Sequence, residues 1–281
     1  MNELIVIGAD GMLGRCWTEL LTTRGIDYVA TTLAELDITD QSALERVVQP
    51  GAQWVVNCAA YTLVDAAEEH EGLAHEVNGH AVGRMAERCK AVGAKLLHYS
   101  TDYVFDGTAT GPYPTNHLRN PVNAYGRSKA LGEELIERSG VEHLLVRSSW
   151  LYAPWGKNFV LTIRELARAR QTLRVVDDQR GRPTDSRKLA EVSLALANLG
   201  SRGVFHVTDG GDCTWFELAR LIAGVVNPDC QVEPCTSDEF PRPAPRPAYS
   251  VLDISATEDV VGPLVPWEDR VREVLGRVEE R

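Results

Sequence analysis

A doubly wound, parallel α/β sheet with a small C-terminal lobe is the fold class this sequence predicts, on three observations. Short apolar, β-branched runs alternate with longer stretches of helical period through the first half of the chain, the pattern of parallel β-α-β units rather than of hairpins. Gly8, Gly11 and Gly14 fall where the first of those runs gives way to a helical stretch. Beyond Trp150 the alternation weakens. There Pro241, Pro243, Pro245 and Pro247 crowd a segment that can be neither central strand nor helix, since proline lacks a backbone donor and bars helical geometry from the residue before it.

The elements follow in order. Residues 4–7, Leu-Ile-Val-Ile, form the first strand, and 11–24 a helix opened by the glycines. Residues 27–30 are the second strand, 42–49 a helix, 54–58 the third strand and 73–92 one long helix. Then come a strand at 95–100, a helix at 124–138 and a strand at 142–147. Later, 158–170 and 187–199 carry helical periodicity and 204–207 reads as a strand, while the proline segment is expected as an extended loop at the edge of the lobe. The domain division expected is a dinucleotide-binding core over 1–150, completed by 186–208, with 151–185 and 209–281 forming most of the lobe.

The 281 residues, 44% hydrophobic and 25% charged, suffice for a large buried core. A formal net charge of −11 excludes broad polyanion binding, so no nucleic-acid partner is expected. Cys16, Cys58, Cys89, Cys213, Cys230 and Cys235 form no Cys-x-x-Cys pair, so a reduced, cytoplasmic setting is expected. No apolar run reaches the ~20 residues of a membrane span, and no basic leader precedes the first strand.

The spacing Gly8-x-x-Gly11-x-x-Gly14, between a strand and a helix, lets the backbone approach a pyrophosphate while the helix N-terminus offers free amides. Thr31 and Thr32 follow the second strand, where such folds choose between a ribose hydroxyl and a 2′-phosphate; neither position carries a carboxylate or an arginine. Asp37 either accepts from an adenine amino group or caps the next helix. Ala59, Ala60 and Tyr61 follow the third strand, where small residues leave room for a ribose.

At the other end of the cleft, Tyr125 and Lys129 lie four residues apart and so share one face of a helix. A phenol with an ordinary pKa near 10 needs a neighbouring cation to serve as a proton donor at neutral pH, and Lys129 supplies one. Thr101, in Ser100-Thr101-Asp102, sits at the carboxyl end of the preceding strand and adds a hydroxyl donor for a carbonyl oxygen.

These residues stand within longer motifs: Gly8-Ala9-Asp10-Gly11-Met12-Leu13-Gly14, Asn57-Cys58-Ala59-Ala60-Tyr61-Thr62-Leu63-Val64-Asp65, Ser100-Thr101-Asp102-Tyr103-Val104-Phe105-Asp106-Gly107, Tyr125-Gly126-Arg127-Ser128-Lys129 and Arg147-Ser148-Ser149-Trp150-Leu151-Tyr152. With Asp178-Gln179-Arg180-Gly181-Arg182-Pro183-Thr184 and Thr214-Trp215-Phe216-Glu217-Leu218, the chain resembles the dTDP-4-dehydrorhamnose reductase family along nearly its whole length. The resemblance implies a Rossmann fold of the extended short-chain dehydrogenase type and reduction of the C4 ketone of dTDP-4-dehydro-L-rhamnose, with Thr101, Tyr125 and Lys129 catalytic. It implies a cofactor, NADPH ahead of NADH, held by Gly8, Asp10, Gly11, Met12, Leu13, Gly14, Thr31, Asp37, Ile38, Ala59, Ala60, Tyr61 and Tyr99 with Tyr125 and Lys129. Thr62, Val64, Asp102, Tyr103, Trp150 and Asn158 would line the sugar site together with Thr101 and Tyr125. Arg180, Arg182, Arg242 and Arg246 are diphosphate candidates, Arg182 foremost, since guanidinium forks match phosphate oxygens.

Two departures stand out. Some relatives bridge a homodimer through magnesium-bound glutamates, whereas Arg15 and Cys16 occupy the corresponding helix here, so no metal is expected and that form of dimer is not implied. Cys58 stands where relatives often carry alanine. Three other readings fit parts of the pattern: a reductase or epimerase of another deoxysugar, a dehydratase, and a non-catalytic regulatory subunit. A dehydratase would follow the threonine with an Asp-Glu pair, and Tyr103 replaces that glutamate.

Overall fold

The structure, a computed structural model, describes residues 3–278. Five strands of the first half, β1 (Glu3–Ile7), β2 (Tyr28–Thr31), β3 (Ala52–Asn57), β4 (Lys95–Thr101) and β5 (His143–Ser148), join a sixth at Gly203–His206 in one parallel sheet. The order across the sheet is 203–206, β5, β4, β3, β1, β2. Consecutive side chains of a strand point to opposite faces, so a strand covered on both faces must be apolar at every position. Ile5 and Ile7 enter one buried layer and Val6 the other, and Leu96 and Leu97 of β4 divide the same way. Helices α1 (Met12–Thr23) and Ser186–Asn198 cover one face; α2 (Gln41–Val47), α5 (Ala81–Val92) and α6 (Ala124–Ser139) cover the other.

Predicted and observed elements agree to within a residue or two except in places where a tertiary contact intervenes. The stretch 73–92 begins earlier, as α4 (Glu71–His75), and passes through a π-helical turn at Glu76–His80 before α5. That turn carries Asn78, whose side-chain amide pairs with both the N–H and the carbonyl of Tyr61 at 2.9 Å and donates to Ser128 Oγ. A single side chain thereby fixes the loop after β3 and the middle of α6. Helix α3 (Val64–Glu69) was not anticipated, although Ala66, Ala67, Glu68 and Glu69 are all good helix formers.

Helices Phe159–Ala169, Trp215–Val226 and Trp267–Arg277 pack with the parallel strands Thr172–Val176 and Gln231–Cys235 around a separate cluster that includes Tyr152, Ile163, Leu173, Leu218, Ile222, Trp267 and Val274. Helix Trp215–Val226 opens on a capping box in which Glu217 N–H donates to Thr214 Oγ1 and Thr214 N–H to the Glu217 carboxylate, a Thr-x-x-Glu signature readable in the sequence. Helix Ser255–Val261 instead packs on Ser186–Asn198 and the strand Gly203–His206. The proline segment is irregular, yet it does not stay at the lobe's edge. Asn123 donates to the Pro245 carbonyl, Arg246 pairs with Asp65 of α3, and Pro247 packs so closely on Gly107 that a Cβ there would lie 2.7 Å from its Cα. Among the described residues no helix is long and apolar enough to cross a membrane.

Candidate active site

The sheet order reverses beside β1: β2 lies on one side and β3 on the other, so their following loops part and leave a crevice at the carboxyl edge. Gly8 closes β1 with φ +80°, and a Cβ there would meet Ala59 N at 2.7 Å; a Cβ on Gly14 would lie 2.0 Å from the Gly8 carbonyl oxygen. Only glycine permits this turn to fold flat beneath the crevice. Gly11 is the N-cap of α1 and supplies no side chain, so the first amides of that helix keep their donors free, while Asp10 is exposed on the turn. Met12 begins the helix and Leu13 is half-buried against the sheet. A cradle of glycines and open helix amides fits a dinucleotide pyrophosphate, and the buried Thr31 hydroxyl, which has no partner, faces the same problem of satisfaction.

Several residues expected at the cofactor end have other primary duties. The Tyr99 phenol is buried and accepts from Trp17 Nε1 at 2.7 Å, so this residue contributes its backbone carbonyl, not its ring, to the crevice. Asp37 is exposed and does not cap α2. One of its oxygens accepts from Thr39 N–H and Oγ1, and Asp40 does the capping. Ile38 is core. The turn after β2 does hold a carboxylate, contrary to the reading of positions 31 and 32: Glu35 Oε2 accepts both the N–H and the hydroxyl of Thr32 at 2.9 Å.

At the end of β4, Thr101 Oγ1 donates to Asp102 Oδ1 at 2.9 Å and accepts from Tyr103 N–H. Asn123 caps α6, accepting from Gly126 N–H at 2.7 Å, and this sets Tyr125 and Lys129 on the face toward the strand end. Burial pushes the Tyr125 phenol above its usual range, the Asp102 charge adds to that, and the Thr101 hydroxyl works against it. The Tyr103 ring meets Tyr125 edge-on at 6.1 Å between centroids. Burial holds Asp102 up to about 6, opposed by hydrogen bonds from Ser250 and Thr101.

Lys129 is 2% exposed; its Nζ donates to the Tyr99 carbonyl at 2.7 Å and lies 3.3 Å from His98 Nε2. Asn57 Oδ1 accepts from Ala59 N–H, which turns Asn57 Nδ2 toward His98 Nδ1 and leaves the imidazole proton on Nε2, facing the ammonium. That ring offers the lysine no acceptor. Burial lowers Lys129 to about 8, with Glu133 pulling the other way. His98 escaped the sequence reading, although a histidine between Leu97 and Tyr99 in a buried strand is itself a signal of a polar duty.

Thr62 is exposed, and Val64, Tyr103 and Trp150 are half-buried. Trp150 is the one non-glycine among the described residues with positive φ, 49°, and its indole stacks on Trp215 at 3.5 Å, joining core to lobe. A bulky residue in that region is strained, a state found where function dictates conformation. Asn158 is consumed structurally: it caps helix Phe159–Ala169 and donates to the carbonyls of Ala153 and Trp155. Of the four arginines, Arg180 is paired with Asp212 and Glu217, and Arg246 with Asp65. Arg242 is 58% exposed and 3.7 Å from Asp65. Arg182 has no ion pair among the described residues, its buried Nε lacks a partner, and burial lowers its guanidinium from the usual range.

A reversed-order parallel sheet, a glycine cradle, and a Thr-Tyr-Lys group at the next strand end define an α/β protein of the extended short-chain dehydrogenase type. More narrowly, the chain belongs to the dTDP-4-dehydrorhamnose reductase family: the family model for the RmlD substrate binding domain matches residues 1–280. A dTDP-4-dehydrorhamnose reductase from Mycobacterium tuberculosis is 43% identical over 89% of this chain and 84% of its own length. A dTDP-4-keto-6-deoxy-D-glucose reductase from Streptomyces niveus is 39% identical over 95% of this chain and 94% of its own. The crystal structure of a dTDP-4-dehydrorhamnose reductase from Bacillus anthracis in complex with NADP superposes with a TM-score of 0.93 at 35% identity, covering 98% of this chain and 99% of that one.

Proposed function

We propose that this chain reduces the C4 ketone of dTDP-4-dehydro-L-rhamnose to dTDP-L-rhamnose, using a reduced nicotinamide nucleotide. The observation that carries the reading is the convergence of Thr101, Tyr125 and Lys129 on one strand end beside the Gly8–Gly14 cradle. Bound there, the dinucleotide supplies a hydride to the carbonyl carbon. Thr101 orients the carbonyl oxygen and Tyr125 delivers the proton to it. Lys129 stabilises the phenolate that remains, and the Tyr103 ring packs edge-on against the donor. Loss of reduced-nicotinamide absorbance with dTDP-4-dehydro-L-rhamnose as substrate tests the reading. Turnover only with the ketosugar of the Streptomyces niveus type would move the substrate assignment, and no turnover with either would end it.

Two expectations attach to this mechanism. Lys129 must be charged to stabilise the phenolate, and its burial sets that charge to disappear as pH rises through about 8. Turnover is therefore expected to fall above pH 8, well before a solvated lysine would titrate near 10.4; a flat pH–rate profile to pH 10 would contradict the role. Of the four candidate arginines, Arg182 is the one without an ion pair among the described residues, so we assign it to the substrate diphosphate. Arg182→Ala is expected to raise KM about tenfold or more with a smaller change in kcat, whereas an unchanged KM would place the diphosphate elsewhere.

A further inference from the structure

The turn after β2 carries a specificity device that the sequence pattern does not display. The Thr31 carbonyl accepts from both Gly8 N–H and Ala9 N–H at 2.9 Å, so the end of β2 is fastened to the glycine cradle. Thr32 is the next residue, at the place where folds of this type read the adenosine ribose. Its N–H and hydroxyl are the donors a 2′-phosphate would seek, and Glu35 Oε2 already takes both at 2.9 Å.

The charge around this turn is one-sided. No lysine or arginine occurs between Arg24 and Arg46, while Asp27, Glu35, Asp37, Asp40 and Glu45 do, and Asp10 is exposed on the cradle itself. Cations on neighbouring elements are committed elsewhere. Arg15 pairs with Glu19 and stacks on Trp155, Arg46 donates to Ser42, and Arg84 is bound to Glu76 and the Thr39 carbonyl. A ribose diol can donate to the second oxygen of the exposed Glu35 carboxylate, whose first oxygen holds Thr32. A phosphate dianion in the same place meets a carboxylate and, among the described residues, no uncommitted cation on the neighbouring elements.

We infer that Glu35 discriminates against a 2′-phosphate and makes NADH the preferred coenzyme of this chain, reversing the order expected from the sequence. The inference rests on the reductase reading, so its test is made without sugar. Binding of NADH and of NADPH is titrated through the fluorescence of the reduced nicotinamide, in the wild type and in Glu35→Gln, which keeps an acceptor for Thr32 and loses the charge. NADH is expected to bind the wild type about tenfold more tightly than NADPH, and Glu35→Gln to narrow that ratio to about twofold by strengthening NADPH binding. NADPH binding as tightly as NADH to the wild type, or a ratio that Glu35→Gln leaves unchanged, would overturn the inference and reduce Glu35 to a cap on its own turn. If neither coenzyme binds, the reductase reading falls with it.

Discussion

Tyr125→Phe is expected to lower kcat by about 10³-fold while leaving coenzyme affinity within a factor of two or three of the wild type. The substitution removes one hydroxyl at a position that is already half-buried, and the ring keeps its edge contact with Tyr103. Lys129 stays where it is, because its Nζ is anchored on the Tyr99 carbonyl, not on the phenol. What disappears is a positioned proton donor, and general acids of this kind contribute on the order of 10²–10⁴-fold. Burial and the Asp102 charge keep the phenol protonated until the carbonyl oxygen begins to accumulate charge, which suits a donor better than a base. The decisive measurement is single-turnover hydride transfer for the variant beside a coenzyme titration. Turnover within tenfold of the wild type would remove Tyr125 from the chemistry, and lost coenzyme binding would assign it to the cofactor instead.

Much of this arrangement is legible from the chain, for identifiable reasons. A central strand covered on both faces writes itself as an unbroken apolar run, as in Leu4–Ile7 or Leu96–Leu97, and a glycine turn writes itself as spacing. Tyr125 and Lys129 are legible because their relation is local, four residues on one helix. What stayed hidden depends on contacts distant in sequence. The π-turn at Glu76–His80 exists so that Asn78 can hold Tyr61, seventeen residues away, and no local pattern announces it. The role of Glu35 is hidden because its side chain folds back three residues to reach Thr32. Asn158 shows a duty that its motif position does not spell out: its side chain is an N-cap, the commonest role of an asparagine before an apolar helix. In the lobe, the helix at Trp215–Val226 is not among the elements expected, although Thr214 and Glu217 spell its capping box, and the paired strands Thr172–Val176 and Gln231–Cys235 lie more than fifty residues apart.

Glu133→Ala is expected to destabilise the fold by about 3–5 kcal/mol, the largest effect on stability of any single substitution considered, because it strands a buried cation. Glu133 is fully buried on α6 and Arg147 nearly so on β5. Arg147 grips both carboxylate oxygens, Nε to Oε1 at 2.9 Å and Nη2 to Oε2 at 2.6 Å, while Ser100 and Arg119 donate to the same group. Nη1 of Arg147 donates to the Thr115 carbonyl and lies 3.3 Å from His206 Nε2, and the guanidinium lies over Phe105. Removing the carboxylate leaves that guanidinium charged and dry, since arginine does not give up its proton as a buried lysine can. For a chain of this size the loss corresponds to a fall in Tm of roughly 10 °C. The doubly substituted Glu133→Leu, Arg147→Met protein removes both charges together and is expected to recover most of that loss, as apolar replacements of buried pairs generally do. Recovery of stability need not restore activity. Glu133 also bonds Ser100, the residue that precedes Thr101, and its charge supports that of Lys129 one helical turn away. The double variant is therefore expected to fold with a near-native Tm while its pH–rate profile falls at lower pH than that of the wild type. An unchanged profile would confine the ion pair to the core, and a Tm as low as that of Glu133→Ala would show that the pair stabilises the fold beyond the avoidance of a stranded charge.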